Sequence, residues 1–387
     1  MDSHQHAASP GTTAPAGGVR VALDAKLLVR HPTGVGRYAL GLTRALADML
    51  GDDDRLVLLT GPQTCHDVLP AGDRIEHRPA PFRSSTLRSL LALRGAARQC
   101  GADVVHGLDH IGMPAPQGVA SVVTVHDLLP VTHPQWFSRK HRTVVGTFLP
   151  RALRGADRVI VPTQHVATEL QGQYGVDQAQ IAVVPEAPDA CFAPSEERRD
   201  VPLDIPEDFL LFVGRLEARK NARVVLDALA RIPPETRPEL VLTGLWGPEE
   251  RALRKQMGTL GLHGSVHFAG YVLDDTLAEL YRRSRALVFP SLAEGFGLPI
   301  VEAMAAGTAV ICGDHGAMAE VAGSAALTVD PTDADALAHA VGRLASPGIR
   351  DRLVEQGRER VANLSWERTA RETLEIYRRV VAERRAR

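Results

Sequence analysis

The sequence predicts an α/β protein built from two doubly wound domains that face each other across a cleft. Short apolar runs alternate with amphipathic stretches from residue 19 to about residue 345, and this alternation is typical of parallel sheets covered by helices on both faces. The alternation is interrupted at residues 185–209, where five prolines lie among charged residues. Pro-rich polar segments form linkers more readily than helices or strands, so this break separates two sheets.

The first half of the chain contains short apolar runs that suit buried strands and two longer helical stretches. Apolar side chains recur at helical intervals at Tyr38, Leu42, Ala45, Leu46 and Met49. This spacing predicts a helix over residues 36–50, and a Leu-rich face predicts a second helix over residues 84–100. The predicted strands lie at residues 19–25, 55–60, 104–105, 121–125, 158–161 and 181–184.

The second half restarts the alternation after the linker. Its predicted strands lie at residues 209–213, 240–243, 266–269, 286–290, 308–312 and 327–329. Its predicted helices lie at residues 224–232, 249–260 and 277–283, from Pro299 to Gly307, at 333–344, and in a charged tail from about 349 to 387. Open α/β sheets bind ligands at the carboxyl ends of their strands, and a cleft between two domains is a favoured place for a ligand pocket.

The composition excludes several classes of protein. A chain of 387 residues has room for two or three domains of ordinary size, and a net charge of −2 gives no sign of nucleic-acid binding. Four scattered cysteines without a C-x-x-C motif favour reduced thiols in the cytoplasm. No apolar run reaches the ~20 residues of a membrane span. Residues 1–18 are expected to form a disordered tail rather than a signal peptide.

The most informative stretch is residues 291–307, which read S-L-A-E-G-F-G-L-P-I-V-E-A-M-A-A-G. This pattern predicts a glycine loop and a helix between two buried strands. Pro299 falls in the first helical turn, where its missing N–H would be unpaired anyway. Backbone N–H groups from Gly295 to Leu298 should point out of the helix N-terminus, which attracts phosphate.

Two carboxylates flank the loop, Glu294 beside the glycines and Glu302 one turn into the helix. A carboxylate beside a phosphate is repulsive, so both side chains are better suited to accept hydrogen bonds from hydroxyls. A ligand with hydroxyls at both ends and a diphosphate between them, a nucleotide sugar, fits this arrangement. A helix N-terminus with an acidic first turn and one solvated glutamate fits the same letters, and the glycine loop alone does not decide between the two.

A group of cations follows the first strand of the second domain. The segment reads G-R-L-E-A-R-K-N at residues 214–221. Arg215 could hold a phosphate through its planar guanidinium, and Lys220 could add a point charge. These charges would offset the two glutamates of the glycine loop. A basic loop that is only solvated remains the alternative.

The first domain places polar and glycine residues at its own strand ends. Gly34 and Gly36 permit close approach of the backbone to a ligand at the start of a helix. His126 and Asp127 end a predicted strand, where they could hydrogen-bond a sugar, transfer a proton, or only cap the strand. The acidic run at residues 52–54 has the spacing of a metal motif but is interpreted as a solvated turn.

Four motifs together resemble the family 4 retaining glycosyltransferases of the GT-B fold. The motifs are T-G-V-G-R-Y at 33–38, V-T-V-H-D at 123–127, V-G-R-L-E-A-R-K-N at 213–221 and E-G-F-G-L-P-I-V-E at 294–302. The resemblance extends from about residue 19 to the end of the chain. It implies two Rossmann-like domains, an acceptor-side domain at 19–190 and a nucleotide-sugar-binding domain at 191–365. It also implies that the last helix, 366–387, packs on the first domain.

The resemblance implies roles for the motif residues. Glu302 should bind the ribose hydroxyls of the donor and Glu294 the hydroxyls of the transferred sugar. Arg215 and Lys220 should clamp the diphosphate, and His126 should touch the sugar near the reaction centre. The residues expected to bind the donor are Gly34, Gly36, Arg215, Lys220, Glu294, Gly295, Phe296, Gly297, Leu298 and Glu302. The residues expected to take part in catalysis are His126, Asp127, Arg215, Lys220 and Glu294.

The resemblance also implies a mechanism without a metal ion or cofactor. Breaking the sugar–phosphate bond develops negative charge on the leaving diphosphate, which preorganised cations and helix N-termini stabilise. These cations replace a metal, and the leaving phosphate takes the acceptor's proton. Closure of the two domains should complete the site and exclude water. The nucleotide base of the donor should lie near Gly244 and residues 270–272.

The acceptor is less well specified. The motifs are similar to those of members that move mannose or a similar hexose, so a glycan, lipid-linked or small-molecule acceptor is expected and nucleic acid is not. Two basic clusters in the first domain comprise Arg83, Arg88, Arg94 and Arg98, then Arg139, Lys140 and Arg142. These clusters could meet an anionic membrane surface at the inner face of the membrane; ordinary solvated arginines are the alternative.

Two other kinds of function fit the same two-domain plan. One is a nucleotide-sugar epimerase or a phosphorylase, although a phosphorylase should carry a lysine-anchored pyridoxal phosphate, which no motif here suggests. The other is a non-catalytic module that binds a nucleotide sugar and never releases the nucleotide, whichever acceptor is present.

Overall fold

The structure, a computed structural model, describes residues 17–30, 32–80, 87–195 and 200–386. In the first half, the strands are β1 (Arg20–Asp24), β2 (Arg55–Thr60), β3 (Ile75–Pro79), β4 (Val104–Gly107), β5 (Ala120–Thr124), β6 (Arg158–Val161) and β7 (Ile181–Val183). The α-helices are α1 (Gly34–Met49), α2 (Leu87–Gln99), α3 (Leu129–Thr132), α4 (Arg139–Gly155) and α5 (Gln164–Tyr174).

The second half repeats the alternation. Its strands are β8 (Phe209–Val213), β9 (Glu239–Thr243), β10 (Val266–Gly270), β11 (Ala286–Phe289), β12 (Ala309–Gly313) and β13 (Leu327–Val329). Its helices are α6 (Ala222–Arg231), α7 (Glu250–Thr259), α8 (Asp274–Arg283), α9 (Leu298–Ala305), α10 (Gly316–Ala322), α11 (Ala334–Arg343), α12 (Ile349–Val361) and α13 (Trp366–Arg385).

Both sheets are parallel and doubly wound, which confirms the predicted fold class. The strand order is β3-β2-β1-β4-β5-β6-β7 in one sheet and β10-β9-β8-β11-β12-β13 in the other. The order reverses between β1 and β4 and between β8 and β11. Doubly wound sheets bind ligands at such reversal points, outside the carboxyl ends of the strands. The loops after β1 and β11 are the two glycine segments singled out in the sequence.

The last helix returns to the first sheet although it follows the second sheet in the chain. Leu374 and Tyr377 of α13 share a core with Leu23 of β1 and Val104 of β4. The Tyr377 hydroxyl lies 2.5 Å from Nδ1 of the fully buried His106. The domain boundaries at residues 190 and 365 remain a prediction.

Several elements were not predicted, and each has a weak sequence signal. Strand β3 reads I-E-H-R-P and is half-buried or exposed, as charged residues and Pro at a sheet edge allow. Helix α4 buries Val145, Leu149 and Leu153 in a narrow stripe and contains Pro150. The charged tail comprises α12 and α13, and Ser365 caps the N-terminus of α13 by accepting a hydrogen bond from the Arg368 N–H. Helices α3, α5 and α10 were also missed.

The expected solvated turn at residues 52–54 is wrong for Asp54. Its side chain is buried and accepts hydrogen bonds from the N–H groups of Val19 and Gly51, and it pairs with Arg378 of α13 at 2.9 Å. Asp54 therefore ties the start of β1 and the last helix together. The predicted tail lies outside the described residues up to position 16, as do residues 84–86 of the second predicted helix. No helix in the described ranges is both long and apolar enough to cross a membrane.

Replacing Tyr377 by Ala should destabilise the first half of the molecule. The substitution removes a fully buried ring and leaves His106 without one hydrogen-bond partner. We expect the free energy of unfolding, measured by urea titration, to fall by about 3–5 kcal/mol. Glu375→Ala, an exposed position on the same helix, is the matched control. A loss no larger than that of the control would contradict the packing of α13.

His106 should make the protein less stable in mild acid. Burial and the neighbouring His126 lower the pKa of His106 to about 3, whereas an unfolded histidine has a pKa of about 6.5. The unfolded chain therefore binds one more proton between these two values, and stability present above pH ~6.5 is lost as the pH falls toward ~3. Replacing His106 by Gln should flatten this pH dependence in urea titrations, and replacing the exposed His263 by Gln should not. Equal slopes in the wild type and H106Q would contradict a neutral His106.

Candidate active site

A cavity of about 540 Å³ lies between the carboxyl ends of the two sheets. Eleven of the predicted site residues line it: Gly34, His126, Asp127, Arg215, Lys220, Glu294, Gly295, Phe296, Gly297, Leu298 and Glu302. Gly36 is not among the lining residues. A Cβ at Gly36 would lie 2.8 Å from Cβ of Pro32, so its lack of a side chain lets the first turn of α1 pack against the preceding loop.

The glycine loop of the second half presses against the first half. A Cβ at Gly295 would lie 1.7 Å from the backbone oxygen of His126, so only glycine fits there. Thr163 of the first half donates a hydrogen bond of 2.9 Å to the Gly295 carbonyl. Gly297 has a φ of 103°, a left-handed conformation that favours glycine. The loop thus turns into α9 beside the end of β5.

Glu294 is largely buried, with 11% of its side chain exposed, and is paired with two cations. Its oxygens lie 2.6 Å from Nζ of Lys220 and 3.0 Å from Nη1 of Arg219. Burial raises the pKa of Glu294, but the attraction of Lys220 and Arg219 outweighs it and holds the pKa below its usual value. Burial also lowers the pKa of Lys220, against the opposing effect of Glu294. The group is therefore an ionic cluster in the cavity wall.

Arg215 and Arg219 both follow β8, but they differ in exposure and in their contacts. Arg215 lines the cavity, but its side chain is 53% exposed and lies 3.5 Å from Glu217. Arg219 is the more buried arginine and holds Glu294. In the sequence, Arg219 is only one of several neighbouring cations. Residue spacing does not show that a 3₁₀ turn over Ala218–Lys220 directs the Arg219 side chain at the glycine loop.

Glu302 of α9 also lines the cavity and is buried. Its Oε2 accepts a hydrogen bond of 2.9 Å from the Tyr281 hydroxyl, and its Oε1 accepts one of 2.8 Å from Nη1 of Arg37. Burial raises the pKa of Glu302, with Arg37 opposing that rise. Arg37 belongs to the T-G-V-G-R-Y motif but received no role from the sequence. Its only signal was a cation next to glycines at the end of a strand.

His126 is buried with both ring nitrogens engaged. Nδ1 lies 2.9 Å from Oε1 of Glu186, and Nε2 lies 3.1 Å from the carbonyl oxygen of Leu108. Burial lowers the pKa of His126, but the hydrogen bond and charge of Glu186 outweigh it and leave the pKa raised. Two acceptors suit an imidazolium, which donates from both nitrogens. Asp127 beside it accepts a hydrogen bond from the Leu129 N–H.

The arrangement has a clear chemical polarity. The second-half wall combines Lys220 and Arg219, the N-terminus of α9 and two carboxylates, Glu294 and Glu302. Such a wall suits an anion between two hydroxyl-bearing groups. Within the ranges that the structure describes, no group of three or more His, Cys, Asp or Glu side chains is arranged to hold a metal ion.

The predicted basic clusters are only partly described. Arg94, Arg98, Arg139 and Lys140 are exposed, and Arg142 is half-buried. Arg83 and the side chain of Arg88 lie outside the described part of the chain. The region expected to hold the nucleotide base also lines the cavity. Its lining residues are Gly244, Leu245, Tyr271 and Val272.

Two family models match the two halves of the chain. Residues 32–190 match "Glycosyltransferase Family 4", and residues 195–360 match "Glycosyl transferases group 1". The chain is similar to O-antigen chain mannosyltransferase B of Escherichia coli, with 27% identity over 90% of this chain and 97% of that protein. It is 30% identical to MMP alpha-(1->4)-mannosyltransferase of Mycolicibacterium hassiacum over 79% of this chain and 76% of that protein. It is also 32% identical to D-inositol 3-phosphate glycosyltransferase of Acidothermus cellulolyticus over 73% and 68%, respectively.

Solved structures share the fold. Sucrose-phosphate synthase from Thermosynechococcus elongatus superposes with a TM-score of 0.75 at 24% identity, over 95% of this chain and 100% of that chain. Anabaena Alr3699/HepE in complex with UDP and glucose superposes with a TM-score of 0.69 at 18% identity, over 92% and 99%. At these identities the likeness shows a common GT-B architecture.

Replacing Gly295 by Ala should force the two halves apart. The new methyl group would overlap the His126 carbonyl, and overpacking of this kind costs about 1–3 kcal/mol. We expect a lower thermal midpoint and a larger radius of gyration in small-angle X-ray scattering. Gly264→Ala, a loop glycine whose Cβ would meet nothing within 4 Å, should change neither. An unaltered radius and midpoint in G295A would show that the loop is not pressed against His126 in solution.

Proposed function

The chain belongs to the family 4, group 1 glycosyltransferases, and from that premise we propose that it moves a hexose from a nucleotide-diphosphate sugar to an acceptor hydroxyl with retention at the anomeric carbon. Mannose is the favoured sugar, because two of the relatives named above are mannosyltransferases. The acceptor is a glycan, a lipid-linked glycan or a small molecule. The chain divides into an acceptor-side domain at 19–190 and a donor domain at 191–365.

One observation carries the proposal: Lys220, the N-terminus of α9 and the carboxylates of Glu294 and Glu302 line the same wall of the cavity. In the proposed complex, the donor ribose hydroxyls bind Glu302 and the hexose hydroxyls bind Glu294. The diphosphate lies between them against Lys220, Arg215 and the N–H groups at the start of α9. The half-exposed Arg215 has the freedom to swing onto the diphosphate.

The chemistry follows from where charge develops. The bond from the anomeric carbon to the diphosphate oxygen breaks, the acceptor oxygen bonds to the same face of that carbon, and the acceptor proton passes to the leaving phosphate. Fixed cations and helix N–H groups stabilise the leaving anion without a metal ion, as preorganised donors do for other developing anions. His126, held by Glu186 and Leu108, is a positive group beside the reacting sugar rather than a free base.

The first-half surface supports a second part of the proposal. Arg94, Arg98, Arg139 and Lys140 are exposed on α2 and α4. An anionic membrane surface attracts such clusters by about 1 kcal/mol per cation near the surface. We therefore place the enzyme in the cytoplasm, with peripheral contact at the inner face of the membrane when the acceptor is lipid-linked.

A thermal-shift screen identifies the donor. UDP-, GDP-, ADP- and dTDP-linked sugars are added separately, and a ligand that binds only the folded state raises the unfolding midpoint. We expect one nucleotide class to give a saturable rise, and NMR of the product formed from that donor to show the same anomeric configuration as the donor. An inverted product would refute retention. Donor binding without release of the nucleotide in the presence of any acceptor would favour a binding module.

Alanine substitutions of the two glutamates should change different constants, the donor Kd for Glu302 and kcat for Glu294. Glu302→Ala removes charged hydrogen bonds to the ribose, worth about 1.5–3 kcal/mol, so the donor Kd should rise by about 10–100-fold. Glu294→Ala should mainly lower kcat, by about 10²–10³-fold if it acts like other transition-state contacts. Glu235→Ala, an exposed position, is the control for calorimetry and initial rates. Unchanged donor affinity and unchanged rate in both variants would refute the site.

A further inference from the structure

We propose that Arg37 is a positioning residue for donor binding, which reaches across the cleft and fixes the Glu302 carboxylate opposite the ribose hydroxyls of the donor. The inference rests on the proposed function, since that function assigns Glu302 to the ribose. It adds a residue of the first half to a subsite that otherwise belongs to the second half. It therefore couples ribose binding to the approach of the two halves.

Arg37 is held in place by three contacts with the second half and the linker. Its backbone lies in the first turns of α1, in the first half. Its guanidinium donates to Glu302 from Nη1 at 2.8 Å and to Asp274 of α8 from Nη2. The same group lies 5.6 Å above the ring centre of Phe192. Only 14% of the Arg37 side chain is exposed, so its guanidinium is held by protein contacts rather than surrounded by water.

The contacts of Glu302 leave room for a ligand. Tyr281 donates to Oε2 and Arg37 donates to Oε1. A carboxylate has about four lone-pair sites, so about two remain after these two bonds. Two sites are enough for a pair of neighbouring ribose hydroxyls. Glu302 forms part of the cavity wall, with 4% of its side chain exposed.

Charge explains why a cation is needed at this point. Burial raises the pKa of Glu302, the nearby Asp189 and Asp274 raise it further, and Arg37 opposes them. Tyr281 of α8 faces the same carboxyl as a hydrogen-bond donor, and Cys191 lies in the neighbouring linker. Without Arg37, Asp189 and Asp274 would act on the buried Glu302 without the cation that opposes them, and Glu302 would take up a proton at a higher pH. A protonated carboxyl is a poor acceptor for two hydroxyls.

The experiment compares nucleotides that differ by one hydroxyl. Isothermal calorimetry measures the Kd of GDP against 2′-deoxy-GDP and of UDP against 2′-deoxy-UDP, at several values between pH 6 and pH 8. The proteins are the full-length wild type, Arg37→Met, Glu302→Ala, the double variant and Arg44→Met. Arg44 is exposed on the same helix and carries the same charge, so it controls for loss of a positive charge from α1.

The wild type should prefer the ribose nucleotide of the pair that it binds, and Arg37→Met should lose most of that preference. We expect about a tenfold rise in Kd at neutral pH, the lower end of the loss of a charged hydrogen bond. The Kd of R37M should rise further as the pH falls, because the carboxylate form is present only above the raised pKa of Glu302. Because Arg37 acts through Glu302 in this proposal, the double variant should bind the nucleotide as weakly as Glu302→Ala alone, and Arg44→Met should match the wild type.

The outcomes separate the two proposals. If the wild type shows no preference for the ribose nucleotides and Glu302→Ala binds them normally, the assignment of Glu302 to the ribose fails, and this inference fails with it. If Glu302→Ala loses the preference while Arg37→Met keeps it at every pH, only the inference is overturned. Tighter binding by Arg37→Met overturns it as well, since Arg37 would then compete with the donor. If R37M does not fold, Arg37→Gln, which also lacks the charge, replaces it, and partial recovery in Arg37→Lys is expected.

Discussion

Charge compensation inside the cleft is the constraint on which the rest of the site depends. Two carboxylates are largely buried in the wall of one cavity, and a buried charge is costly unless it is paired and hydrogen-bonded. Glu294 is paired with Lys220 and Arg219 from the loop after β8, whereas Glu302 is paired with Arg37 from the other half of the molecule. The negative charge of the second-half wall is thus compensated partly by cations of its own half and partly by Arg37 of the first half.

The strand order of the two sheets places the loops that carry these charges at the cleft. In both sheets the order reverses beside the first strand, and the loops at these reversals carry the glycines. The loop after β11 approaches the end of β5 so closely that Gly295 has no space for a side chain. Glu320 of α10 adds a second contact between the halves, because it accepts hydrogen bonds from the N–H groups of Gln164 and His165 at the start of α5. The two halves of the molecule are therefore in contact at more than one place.

The sequence was sufficient for the architecture and for most of the cavity wall, because buried parallel strands are continuous apolar runs and strand ends are where ligands bind. It was insufficient where the decisive information is a long-range contact. The role of Arg37 depends on a partner 265 positions away, and the fixation of His126 depends on Glu186 from the Pro-rich linker. The pairing of Arg219 with Glu294 depends on a single turn of 3₁₀ helix. Strand β3 and helix α4 were missed because an edge strand and a narrow apolar stripe leave little periodic signal.

The central claim is that a nucleotide sugar lies along the second-half wall of the cleft, and a crystal structure of the complex tests it most directly. Crystals would be grown with the nucleotide sugar that stabilises the protein most. The account predicts diphosphate oxygens within hydrogen-bond distance of Lys220 and the first N–H groups of α9, with ribose at Glu302 and hexose at Glu294. A donor bound at another surface, with residues 294–302 making no contact to it, would contradict the account.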